Sequence, residues 1–311
     1  MGPFFGYHMP NFSFAGVPPE ARFDRVVELA LAVESAGFTA LTVMDHFYQL
    51  GGVGPPDEPM LEAYTTLGAL AARTTTIRLA TMVTGVTYRN PALLAKMVTT
   101  LDVISRGRMI LGIGAAWHEP EHLGYGFDFP PIGERMDRLD EALTICRAMF
   151  TEERPSFTGR HYRIEQALNS PRPIQPGGPR VMVGGGGERR TLRLAARHAD
   201  ISHWWVTLDE LKHKSEVLDR HCEAEGRDPS TILRTIGSPV VLAEDEARAR
   251  QVEERMSPAR RAVTSAVTVE QAADRLRPFL DAGCGGFTFT NTSMSTPEAI
   301  ALGGELIRLM G

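Results

Sequence analysis

Three short stretches of the chain carry residue types that could do chemistry. The first contains His118-Glu119-Pro120-Glu121-His122, the H-E-x-x-H order in which two histidines one helical turn apart hold zinc. That chemistry needs regular helix, and Pro120 removes an amide and crowds the preceding turn. His118 and His122 are therefore read as loop residues over the mouth of a site, and no metal is expected. The second stretch, "VMDHF", sets Asp45, His46 and Phe47 in a row. An imidazole beside a carboxylate can be held in one tautomer and pass a proton, although Asp45 capping a turn and His46 packing on a rim would use the same letters. The third, "RVMVGGGGERR", puts Gly184, Gly185, Gly186 and Gly187 between an apolar run and a helical pattern. Their amides can converge on a phosphate at a helix N-terminus, or the glycines can form a tight packing turn. Arg189 stands where a G-x-G-x-x-G motif would need its last glycine.

Something must position these groups, and one unit recurs along the chain: an apolar, β-branched run, a loop, then a helix-period pattern. The candidate strands are "FFGYHM", "ALTVM", "IRLATMV", "RMILGIG", "RVMVGG", "DISHWW", "LRTIGSPVVL" and "GGFTFT". Between them, residues 19–36 put Val26, Leu29, Ala30 and Val33 on one face and stop at Gly37. Residues 91–106 start at Pro91 and carry Leu94, Met97, Val98 and Leu101 on one stripe, and 134–150 do the same with Met136, Leu139, Leu143 and Cys146. Near-continuous apolar strands alternating with helices imply parallel pairing with both faces covered. Eight such units predict an α/β fold, a (β/α)8 TIM barrel spanning 1–311 as a single domain. The irregular stretches 48–60, 151–179 and 256–267 are expected to be insertions at the C-terminal face of the strands, where barrel enzymes place their catalytic groups.

Composition narrows the partners. A net charge of -5 over 311 residues, with Lys and Arg dispersed, leaves no footprint for nucleic acid. A small-molecule substrate is expected. Cys146, Cys222 and Cys284 lie far apart with no C-x-x-C pair, as buried thiols in a reducing compartment would. No charged leader precedes an apolar run and no apolar stretch is long enough to span a bilayer, so the expectation is a cytoplasmic protein without membrane contact.

The same residues carry a family resemblance. "VMDHF", "RLATMVTGVTYRNPALLAK", "LDVISRGRMILGIGAAWHEPEHLGYGFDFP", "GERMDRLDEAL" and "VMVGGGGERRTLRLAARHAD", in that order, resemble the luciferase-like monooxygenase superfamily, specifically its coenzyme F420-dependent oxidoreductases. The resemblance covers residues 4–205 well and the remainder weakly. It implies a deazaflavin at the barrel mouth, a non-proline cis peptide at Met82-Val83 in a bulge ending the third strand, and a phosphate held by Gly184 to Gly187 with Arg189 nearby. Gly114 and Ala115 would line the same cofactor site. It further implies His46 as the group that exchanges a proton with substrate, with Asp45 beside it, while hydride moves between substrate and cofactor. Trp117 stands where related sugar-phosphate dehydrogenases have an acidic residue. Phe47, Trp117, Tyr125, Trp204 and Trp205 are candidates for an aromatic substrate pocket, and family members are commonly homodimers. Two alternatives stay open: a flavin mononucleotide (FMN) monooxygenase using oxygen and a partner reductase, and a barrel that binds cofactor without catalysis.

Overall fold

The computed structural model describes residues 3–311, and in it the eight apolar runs close on themselves. The barrel strands are β1 (Phe4–Met9), β2 (Ala40–Val43), β3 (Arg78–Thr81), β4 (Met109–Gly114), β5 (Arg180–Gly184), β6 (Ile201–Trp204), β7 (Leu233–Gly237) and β8 (Gly286–Thr290). Each pairs in parallel with its sequence neighbours. The ring closes through β1 on β8, where Phe4 stands opposite Gly286, and is continuous across β3 and β4, where Leu79 stands opposite Met109. A closed parallel ring leaves no strand edge and demands apolar residues on both faces, which is why the strands read as unbroken apolar runs.

Helices cover the outside: α1 (Arg22–Ser35), α2 (Ala63–Arg73), α3 (Pro91–Ile104), α4 (Glu119–Tyr125), α5 (Ile132–Thr151), α6 (Thr191–His198), α7 (Leu208–Ala224), α8 (Glu246–Arg255), α9 (Pro258–Arg261), α10 (Val269–Asp281) and α11 (Pro297–Met310). The start signal read from sequence at Pro91 operates locally, Pro91 occupying the first turn of α3. Caps not read from sequence join it: Asn90 accepts from the Ala92 amide, and Thr207 and Glu210 form a reciprocal capping box on α7. The buried faces of α1 and α5 carry the stripes named above, including Val26, Leu29, Ala30 and Val33. The apolar interior has three parts, the smallest outlying one (Val241, Ala243, Ala249, Met256 and Ala266) packing α8 on a separate two-stranded sheet. A large layer lies between strands and helices, and a small plug of Ala80, Ile110, Met182, Ile201 and Met82 fills the barrel itself.

Three expectations change. The run "LRTIGSPVVL" is broken at Pro239: β7 ends at Gly237, and Val240–Leu242 pairs instead with Ser265–Val267 in a separate two-stranded sheet. Residues 151–179 follow α5 and precede β5, so they lie at the opposite end of the barrel from the catalytic face. There a short hairpin (Phe157–Thr158 with Arg163–Ile164) leads into a segment where Asp102 accepts from the Ile174 and Gln175 amides. The segment holding His118 and His122 is not a loop. Pro120 sits in the first turn of α4, where its missing amide would have had no helical partner, and Gly126 ends the helix in the left-handed conformation at φ 72°. Among the described residues no helix is long and apolar enough to cross a membrane.

Candidate active site

A cavity of about 1120 Å³ opens at the C-terminal ends of the strands, which is where a barrel fold directs attention. Its wall includes Asp45, His46, Met82, Val83, Gly114, Ala115, Trp117, Gly184, Gly185 and Trp205. Sequence elements more than a hundred residues apart are thus brought to one surface.

His46 leaves β2 on the loop toward α2, and its Nδ1 lies 2.5 Å from Glu121 Oε1. With a carboxylate on that side, Nδ1 carries the hydrogen, and Nε2 has no protein partner among the described residues. The ring is therefore set to take or give a proton at Nε2 toward the cavity. Glu121 is fully buried and receives more than His46: the Tyr88 hydroxyl donates to Oε1 at 2.5 Å and the Phe47 amide to Oε2 at 2.7 Å. Burial by itself would raise the Glu121 carboxyl, but the His46 ring, the Tyr88 hydroxyl and the Phe47 amide together hold it below the usual carboxylate range. The same contact pushes the Tyr88 hydroxyl up, after burial.

Asp45, next in the chain to His46, does not hold the imidazole. Arg89 grips it with both terminal nitrogens, at 2.6 and 3.2 Å, and bridges to Glu62 at 2.6 Å, with the guanidinium lying over the Tyr64 ring. Burial pushes the Asp45 carboxyl up and Arg89 opposes it. The orienting carboxylate is Glu121, which the sequence reading passed over as a filler letter of H-E-x-x-H. Tyr88, Arg89 and Glu62 were missed as well. The signal available was the juxtaposition "YRNP" after the third strand, a tyrosine and an arginine at the mouth of a barrel.

His118 stands at the N-cap position of α4 without a capping side-chain bond, and its ring meets His46 edge-on at 5.8 Å. His122 is fully buried, with Nδ1 at the His118 carbonyl (2.8 Å) and Nε2 at the Thr87 hydroxyl (2.7 Å). Both of its nitrogens are occupied in holding α4 to the loop before α3.

The backbone at Met82–Val83 is cis, and Val83 faces bare backbone on two neighbouring strands. A Cβ on Gly114 would come within 2.9 Å of the Val83 side chain, and one on Gly184 within 2.8 Å. Beyond β5, the Gly185 amide donates to the His203 carbonyl, whereas those of Gly186 and Gly187 donate to no protein acceptor among the described residues. The cavity reaches Gly184, Gly185 and Thr191 at the start of α6; Gly186, Gly187 and Arg189 lie outside its wall. Arg190 is tied to Asp137, and the cation nearest the glycines is one sequence reading missed, Lys214, which donates to the Gly186 carbonyl at 2.8 Å.

Of the aromatic candidates, Trp117 and Trp205 line the cavity, the former edge-on to His46 at 5.7 Å. Phe47 and Tyr125 stack on each other at 4.5 Å away from the wall, packing α4 against the loop after β2. Trp204 is buried between barrel and helices because side chains alternate along β6, sending His203 inward and Trp204 outward.

Comparison with known proteins agrees with this geometry. An uncharacterised protein of Mycobacterium tuberculosis is 31% identical over 241 residues, 71% of this chain and 80% of that one. An F420-dependent glucose-6-phosphate dehydrogenase of Kineococcus radiotolerans is 32% identical over 230 residues, covering 72% and 66% of the two chains. A solved F420-dependent secondary alcohol dehydrogenase, in complex with an F420-acetone adduct, superimposes over 100% of both chains with a TM-score of 0.82 at 18% identity. Residues 4–294 match the luciferase-like monooxygenase family, to which this chain belongs.

Proposed function

We propose that the protein is an F420-dependent oxidoreductase acting on a small organic substrate at the barrel mouth. The observation that carries this reading is the buried His46–Glu121 pair at the wall of one large cavity, in a chain whose relatives include an F420-dependent dehydrogenase at 32% identity. The residues present fit such a cofactor. Val83 presents a side chain between the bare backbones of Gly114 and Gly184, giving a flat ring something to lie against. The unpaired Gly186 and Gly187 amides, with Lys214 beside them, suit a phosphate. When bound, a deazaflavin supplies the two-electron, hydride-transferring chemistry.

The protein's own residues supply the rest. Glu121 fixes the His46 ring through Nδ1, so that the proton gained or lost by the substrate oxygen passes at Nε2. Trp117, edge-on to the His46 ring, walls that part of the cavity. Asp45 is a structural anion that Arg89 neutralises, keeping the His46 loop in place.

Titrating the protein with F420 and with FMN, followed by fluorescence, tests the proposal. The expected result is tighter binding of F420. Equal or reversed affinities overturn it and favour the monooxygenase alternative. Binding of F420 without turnover of any alcohol, ketone, quinone or activated alkene favours a non-catalytic barrel.

A further inference from the structure

The floor of the cavity holds two more histidines that the proton-transfer pair does not use. His8, at the end of β1, and His203, at the end of β6, line the cavity at 6% and 3% exposure. Each has its Nδ1 on a threonine hydroxyl of a neighbouring strand: His8 on Thr42 at 2.9 Å, His203 on Thr235 at 3.0 Å. That leaves Nε2 as the nitrogen of each ring without a protein partner among the described residues. The His203 Nε2 is buried with no partner among the described residues, and a buried polar atom in that state calls for something to bond it.

Both rings are neutral. Burial holds His203 down at about 4, and burial together with the neighbouring His203 and His46 holds His8 at about 3. Hydroxyls of Thr288, Thr290 and Ser238 line the cavity as well. Its fixed charges are few: Asp45, already matched by Arg89, and Arg260, exposed on α9 at the rim. A phosphate or carboxylate deep in the cavity would find no cation there. An uncharged oxygen would find two imidazole nitrogens. A threonine hydroxyl can donate to Nδ1 or accept from it, so each Nε2 can serve as acceptor to an alcohol or as donor to a ketone with no change of net charge.

We propose that His8 and His203 form a neutral hydrogen-bonding floor that receives the oxygen of an uncharged alcohol or ketone, and that the substrate belongs to this class. The proposal rests on the oxidoreductase reading above and names the substrate class of the same site.

The test uses protein labelled with 15N in histidine, both cofactor-free and loaded with F420. It is titrated separately with cyclohexanol, cyclohexanone, inorganic phosphate and acetate near neutral pH. The Nε2 resonances are assigned by their loss in His8→Gln and His203→Gln. Both should move with cyclohexanol and cyclohexanone and stay still with the anions. His203→Phe should weaken cyclohexanol binding by about threefold to tenfold, the share of one or two hydrogen bonds, while F420 affinity stays within about twofold; His203→Gln, which keeps a polar group there, should recover part of the loss. Movement with phosphate or acetate, or with none of the four, overturns the proposal. So does a His203→Phe variant that loses F420 as fully as alcohol, since the nitrogens would then serve the cofactor. Failure of the parent to bind F420 appears in the cofactor titration and counts against the proposed function, leaving the cofactor-free arm to decide the floor.

Discussion

Removing the His46 imidazole takes away the group placed to exchange a proton while leaving Val83 and the glycine loop intact. His46→Ala should bind cofactor nearly as well as the parent and lose roughly a hundredfold to ten-thousandfold in turnover. Glu121→Gln should show a distinct signature: a smaller loss, with a shifted pH profile, because an amide can still orient the ring but no longer balances its positive form. Rate-pH profiles of both variants check this, and an unshifted profile in Glu121→Gln would assign that carboxylate to packing alone. At this scale the sequence was half legible. His46 could be picked out because it ends a strand of a barrel. Its partner lies 75 residues away on the short helix α4, in a motif whose letters suggested a different chemistry. No local pattern pairs them.

Between elements, the loop after β2 is held by charges. Arg89, on the way into α3, binds Asp45 on that loop and Glu62 at the start of α2. Asp45 is 1% exposed, so Arg89→Met strands a buried anion, and unfolding in denaturant should show a loss of about 3 to 5 kcal/mol. A loss under about 1 kcal/mol, the range of exposed ion pairs, would mean water reaches Asp45 on its own. Helices and strands were readable because their apolar period and end signals are local: Pro91 and Gly37 act within a turn of where they stand. The short helix α4 was not, since a proline in the first turn of a helix and a proline in a loop have the same letters. The destination of 151–179 also escaped, because an insertion's end of the barrel depends on whether a strand or a helix precedes it.

At the scale of the whole molecule, the closed ring was legible from eight repeats of one pattern, each satisfying the same demand for burial on two faces. The polar interior at its mouth was not, and it should govern behaviour in acid. Unfolded, His8 and His203 titrate near the ordinary imidazole value of about 6.5; folded, they resist protonation until about 3 and 4. Below pH 6.5 the unfolded chain therefore binds more protons than the folded one, and stability falls with pH. Each ring should cost about 2 kcal/mol by pH 5, so the parent's melting temperature should drop more steeply between pH 7 and 5 than that of a His8→Gln/His203→Gln double variant. Equal slopes would show that water reaches both rings. Glu121 has a wider consequence. One carboxylate takes donors from the loops after β2 and β3 while itself standing on the short helix α4 in the connection after β4. Those three connections are consequently one inheritable unit: a graft that swaps any of them alone, to change what the barrel accepts, would break the joint that all three share.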